Sequence, residues 1–188
     1  MIHAVAAAAP ANARITVDAG AHMLSAMALW PAQVPFDVLI SNGLSTMGFA
    51  VPAAIAAALE APERPVIAFT GDGGLAMCLG ELATAARERL PVIVVVFNDG
   101  ALSMIDLKQQ QRSFATAGVR FAGFDFTAVA RGMGCAAWRV DDPIGLERAV
   151  AKAAALGGAA VIDAAVDSAP YRKQFEALRG APGVAANA

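Results

Sequence analysis

Cysteine is scarce in this chain of 188 residues. Cys78 and Cys135 are the only two and have no Cys-x-x-Cys spacing, which leaves no disulfide framework and reads as free thiols in a reducing compartment. Charge is also scarce: charged residues make up 16% and the formal net charge is −2, with no cluster of Lys or Arg to track a nucleic acid. The longest apolar runs, residues 47–59 and 91–97, fall short of the roughly 20 residues that cross a bilayer. No basic segment opens the chain as a signal peptide would. No Gly-Lys-Ser/Thr follows a glycine-rich turn, so a P-loop is absent. These absences point to a cytoplasmic protein without membrane or nucleic-acid partners. Hydrophobic residues, by contrast, reach 57%, mostly Ala and Val, which suits close packing of helices on a sheet and opposes disorder.

Short β-rich runs alternate with longer Ala-rich runs. That pattern predicts an α/β fold, a doubly wound and mostly parallel sheet of about six strands with helices on both faces. Strands are expected at residues 14–18, 38–40, 66–70, 92–98, 136–140 and 160–165, and helices at 49–59, 80–89, 126–133 and 143–156. The run 92–97 is continuously apolar, as a central strand buried on both faces should be. Residues 14–180 form the expected domain, between a flexible segment at 1–13 and a flexible tail at 181–188.

Ligands of such sheets sit at the carboxyl ends of the strands. Two ends combine glycine with an acid, Gly71-Asp72-Gly73-Gly74 and Asn98-Asp99-Gly100, and a third polar turn spans residues 41–48. Gly71, Gly73 and Ala76 also satisfy the G-x-G-x-x-G/A pattern of dinucleotide folds. Charge argues against that rival, because Asp72 would set a carboxylate beside a bare pyrophosphate. A Mg²⁺ between them reverses the sign, since it takes hard oxygen ligands and is commonly shared by carboxylates and phosphates. Gly73 and Gly74 open a helix whose free amides favour phosphate oxygens. Asp99 follows Asp72 by 27 positions, after one helix and one buried strand, so the two strand ends can bracket one ion. The alternative is that both acids merely cap turns.

Gly71-Asp72-Gly73, 24 residues and then Asn98-Asp99 resembles the signature of thiamine-diphosphate enzymes. The stretch from Asn42 to Ala54 is similar to the acetolactate synthase and benzoylformate decarboxylase branch. The resemblance runs over nearly the whole chain and implies the C-terminal, diphosphate-binding domain of such an enzyme. It implies thiamine diphosphate and Mg²⁺ as cofactors, with Asp72, Asp99 and the backbone carbonyl of Ala101 as metal ligands. Asp99 stands where the family has Asn, which adds a negative charge. Met47 would support the cofactor's bent conformation, and the carbonyl of Ser45, where relatives usually have Gly, would accept from its amino group. His22 would lie near the diphosphate together with Gly71, Gly73 and Gly74. Met104, in the segment from Leu102 to Arg112, would face the cofactor. Lys108 and Arg112 stand four residues apart and read first as a solvated helix face, with a substrate carboxylate as the alternative. Glu81 is assigned no chemistry.

In this family the glutamate that activates the cofactor comes from a separate pyrimidine-binding domain, across a subunit interface. The resemblance therefore implies a homo- or hetero-oligomer acting on a small 2-oxo acid as decarboxylase or carboligase, with this domain inactive alone. The chain is then a fragment of a larger enzyme or the separate subunit of a two-subunit decarboxylase, of sulfopyruvate or phosphonopyruvate type. Two other classes stay open: a dinucleotide-binding oxidoreductase domain, and a module that kept the fold and lost turnover.

Overall fold

Val92-Ile93-Val94-Val95-Val96-Phe97 is buried throughout and forms the axis of the fold. Alternation along it divides the interior in two: Val92, Val94 and Val96 face one core, and Ile93, Val95 and Phe97 face the other. The computed structural model describes residues 1–121 and 123–179. Its elements run α1 (Ile2–Ala8), β1 (Arg14–Val17), α2 (Ala21–Leu29), β2 (Val38–Ile40), α3 (Ala50–Glu60), β3 (Val66–Gly71), α4 (Asp72–Met77), α5 (Glu81–Arg87), β4 (Val92–Asn98), α6 (Ser103–Gln111), α7 (Phe126–Gly132), β5 (Ala136–Val140), α8 (Pro143–Leu156), β6 (Ala160–Ala165) and α9 (Tyr171–Arg179). All strand pairs among the described residues are parallel, in the order β2-β1-β3-β4-β6-β5. The sheet is thus wholly rather than mostly parallel, and its six strands fall where the apolar runs predict them.

Helices α3, α5 and α7 cover one face, and α1, α2 and α8 the other. Helix α8 shows the local logic most plainly. Asp142 caps it by accepting from the N–H groups of Ile144 and Gly145, Pro143 opens it, and Gly157 ends it in a left-handed turn (φ 65°). Leu146, Ala149, Val150 and Ala153 then repeat at helical spacing on its buried side.

The N-terminal segment differs from expectation. Residues 1–13 are not a loose leader: Ile2–Ala8 is helical, and Ile2 (3% exposed) and Val5 (0%) sit in the core against α8. Ala-rich sequence has high helix propensity, and the two buried aliphatic side chains contribute about 1.5–3 kcal/mol each to docking it. The expected tail at 181–188 lies outside the described residues. Cys135 is buried, Cys78 half-buried, and both are free thiols. No helix among the described residues is long and apolar enough to cross a membrane.

Chain order reverses between β1 and β3: from β1 the path goes out to β2 and returns on the other side to β3. Such a switch point opens a crevice at the carboxyl ends of the strands. Here those ends carry Asp18, Asp72 and Asp99.

Candidate active site

A cavity of about 360 Å³ opens at this switch point. His22, Ser45, Met47, Gly71, Asp72, Gly73, Gly74, Asp99, Ala101 and Met104, the ten positions singled out from the sequence, all line it. Loops from β1, β2, β3 and β4 bring them together across more than 80 residues of chain.

The acidic end is laced by backbone. Asp72, 3% exposed, accepts from the N–H of Gly73 (2.6 Å) and from the N–H of Gly100 (2.7 Å), which ties the end of β3 to that of β4. Gly100 has φ 71°, a conformation that only glycine adopts cheaply. Asp99 accepts from the N–H of Ala101 (3.2 Å) and from the Ser103 hydroxyl (2.5 Å) at the start of α6. Burial pushes the carboxyl of Asp72 above the ordinary range, and the charge of Asp99 adds to this. Burial likewise raises Asp99. Among the described residues neither acid forms an ion pair. Two desolvated carboxylates with oxygens left for a further ligand are a charge imbalance that a divalent cation would relieve. The Ala101 carbonyl segment is held by a short antiparallel bridge to Arg120, with Leu102 N–H donating to Val119 (2.8 Å) and Phe121 N–H to Gly100 (3.1 Å). Buried Asp106 clasps that bridge, accepting from Thr116 and Arg120, both at 2.8 Å.

Across the cavity, Asp18 organises the turn that carries Ser45 and Met47. Fully buried at the end of β1, it accepts from Gly48 N–H (3.0 Å), Ala50 N–H (2.6 Å) and the Thr70 hydroxyl (2.6 Å), and so caps α3 from another element. Ser45 has φ 49°, in the left-handed region that glycine adopts more cheaply than serine. A Cβ at Gly73 would lie 2.5 Å from Leu102 Cδ2 and 3.2 Å from Met47 Cε, so those side-chain ends would have to shift to admit it. At Gly74 a Cβ would lie 2.3 Å from Asp18 Oδ2, so packing against Asp18 already requires glycine there.

His22 is buried and stacks on Phe97 (centroids 5.4 Å apart, planes 10°). Burial pushes its pKa down to about 4, so the ring is neutral at pH 7, and its Nε2 has no hydrogen-bond partner among the described residues. Along α6, Met104, Ile105 and Lys108 line the cavity, whereas Arg112 does not. Glu81 begins α5, away from the lining. Helix α9 lays half-buried Tyr171 over the rim, fixed by Gln174 Nε2 donating to Ser25 Oγ (2.6 Å) and Arg172 donating to Gln110 (2.9 Å). Burial and the charges of Asp99 and Asp72 raise the Tyr171 phenol. Sequence reasoning missed Asp18, Asp106 and Tyr171. Asp18 alone left a signal, as a third acid at a strand end.

Residues 18–164 match the family described as thiamine pyrophosphate enzyme, C-terminal TPP binding domain. The acetolactate synthase isozyme 1 large subunit of Escherichia coli is 42% identical over 138 residues, covering 71% of this chain and 24% of that protein. The acetolactate synthase of Bacillus subtilis is 32% identical over 153 residues, covering 81% and 27%. The solved 4-hydroxybenzoylformate decarboxylase of Rhodococcus jostii, described as thiamine diphosphate-dependent, superposes with a TM-score of 0.81 at 23% identity. It covers 89% of this chain and 32% of that one, a likeness of fold. The chain spans about a quarter of the length of the curated relatives it matches.

Proposed function

The chain belongs to the thiamine pyrophosphate enzymes, as their C-terminal TPP-binding domain, and on that footing we propose that its cavity holds Mg²⁺-thiamine diphosphate in an acetolactate synthase-like enzyme acting on a 2-oxo acid. The observation that carries the reading is the pair Asp72 and Asp99, two raised carboxylates without an ion pair among the described residues, tied together at the switch point through the Gly100 N–H. In this reading the two carboxylates and the Ala101 carbonyl hold Mg²⁺, which neutralises them and anchors the diphosphate.

His22, Gly71, Gly73 and Gly74 then flank the diphosphate. A neutral His22 offers its free Nε2 as a hydrogen-bond donor or acceptor without adding charge. Met47, Met104 and the Ser45 carbonyl flank the rings, and the Asp18 network keeps Met47 and Ser45 in register with the metal end. The bound cofactor supplies the electron sink for decarboxylation of the 2-oxo acid. This domain's own part is to fix the cofactor and exclude water. A pyrimidine-binding domain, on the same chain or a partner, completes the enzyme as a decarboxylase or carboligase in an oligomer, in keeping with relatives of which the matched part is about a quarter.

Titration calorimetry with thiamine diphosphate, with and without Mg²⁺, tests the reading, with NAD as the control for a dinucleotide site. Mg²⁺-dependent binding of thiamine diphosphate is expected. Preference for NAD, or binding indifferent to metal, refutes it.

A further inference from the structure

Among the described residues lining the cavity, three bear a formal charge at pH 7: Asp72, Asp99 and Lys108. The two acids stand together at one end, beside Ser103 at the start of α6. Lys108 follows five residues later on the same helix, about 7.5 Å further along its axis. Met104 and Ile105 line the wall between them. Lys108 has no ion pair among the described residues, and Arg112, its neighbour one turn on, does not reach the lining. The cavity therefore has an anionic end and, past Met104 and the partly exposed Ile105, a single cation, Lys108, at its solvent-exposed rim.

The position of that cation restricts what it can usefully bind. In decarboxylation of a 2-oxo acid the C1–C2 bond breaks, C1 leaves as neutral CO₂, and the bonding pair stays on the C2 side until a proton or a second carbonyl takes it up. An ion pair to the departing carboxylate holds the ground state and is lost as the bond breaks, so it raises the barrier. An ion pair to an anionic group retained through the reaction has no such cost. We infer that Lys108 binds the distal anion of the substrate, and that the substrate class is 2-oxo acids carrying a second anionic group on a short side chain. This rests on the thiamine-dependent reading above and adds the substrate class to it.

The test uses the holoenzyme with Mg²⁺ and thiamine diphosphate. The substrates are 2-oxoglutarate, 2-oxoadipate and 3-phosphonopyruvate against neutral 2-oxopentanoate and 2-oxohexanoate, and cofactor affinity is measured separately by calorimetry. The wild type should prefer at least one dianionic substrate over the neutral ones. Lys108→Gln should raise its KM about tenfold, with kcat, neutral-substrate KM and cofactor affinity changed less than twofold. Lys108→Glu should raise it further, and Lys108→Arg should restore most of it. Preference for neutral substrates, or an equal effect of Lys108→Gln on both classes, overturns the inference and leaves the cofactor reading standing. Absence of thiamine diphosphate binding overturns both.

Discussion

Asp99→Asn removes one of two negative charges that face each other across the ends of β3 and β4. Neighbouring parallel strands lie about 4.8 Å apart, which sets the two carboxylates at roughly 5–7 Å. At an effective dielectric of about 20–40 they repel by about 1–3 kcal/mol. The hydrogen bonds of Asp99 survive the change well. The Asn carbonyl oxygen can still accept from Ala101, and its amide can donate to the Ser103 hydroxyl, which turns to suit, at a cost within about 1 kcal/mol. The metal-free domain should therefore gain about 1–2 kcal/mol by urea denaturation in EDTA. With saturating Mg²⁺ and thiamine diphosphate the gain should vanish or reverse, because the cation already cancels the repulsion. Asp72→Asn is the contrasting variant. Both Asp72 oxygens accept backbone N–H groups, so an amide would point its NH₂ at Gly73 or Gly100 and lose about 1–3 kcal/mol, offsetting any electrostatic relief. A loss of stability in Asp99→Asn without metal, or the same change in both buffers, would refute this account of the acidic pair.

Asp18→Ala takes the acceptor from the Gly48 and Ala50 N–H groups and leaves the Thr70 hydroxyl only its longer bond to the Gly71 carbonyl, and should cost about 2–4 kcal/mol by urea denaturation, as a disrupted buried network does. Gly74→Ala drives its Cβ into the same carboxylate and should cost about 1–3 kcal/mol by the same measurement. Ser45→Gly relieves the left-handed strain of about 1–2 kcal/mol but loosens the unfolded chain, so it should stabilise by up to about 1 kcal/mol, read as a higher Tm. His22 has a folded pKa near 4 against an ordinary 6.5, so between these values the unfolded chain binds the proton and the folded one does not. Stability should therefore rise from pH 4 to 6.5 by about 2–4 kcal/mol from this group, and His22→Phe should remove that part of the slope.

Residue type and spacing carried the sheet, because a strand buried on both faces has to be a continuous apolar run, as 92–97 is. They carried the acidic turns for a similar reason, since Gly-Asp-Gly and Asn-Asp-Gly fall where strands end and the backbone must turn. The ten site positions converge because the parallel topology gathers strand ends at one edge. The rest depends on contacts that no local pattern encodes. Helix α1 is held by two aliphatic side chains against α8, and its Ala-rich sequence looks like a frayed end until that surface is present. Asp18 looked like the last residue of a strand, and its partners lie 30 to 52 positions away. Tyr171 enters the cavity only because α9 folds back onto α2 and α6 through Gln174 and Arg172. The wholly parallel pairing follows from helical crossovers between all the strands.

Anomalous diffraction from crystals grown with thiamine diphosphate and Mn²⁺ in place of Mg²⁺ tests the central claim most directly. The account predicts one metal peak at about 2.0–2.3 Å from oxygens of Asp72, Asp99 and the Ala101 carbonyl, with diphosphate oxygens completing its shell. A metal bound elsewhere, or a diphosphate seated in the cavity with no metal between it and Asp72, would contradict it.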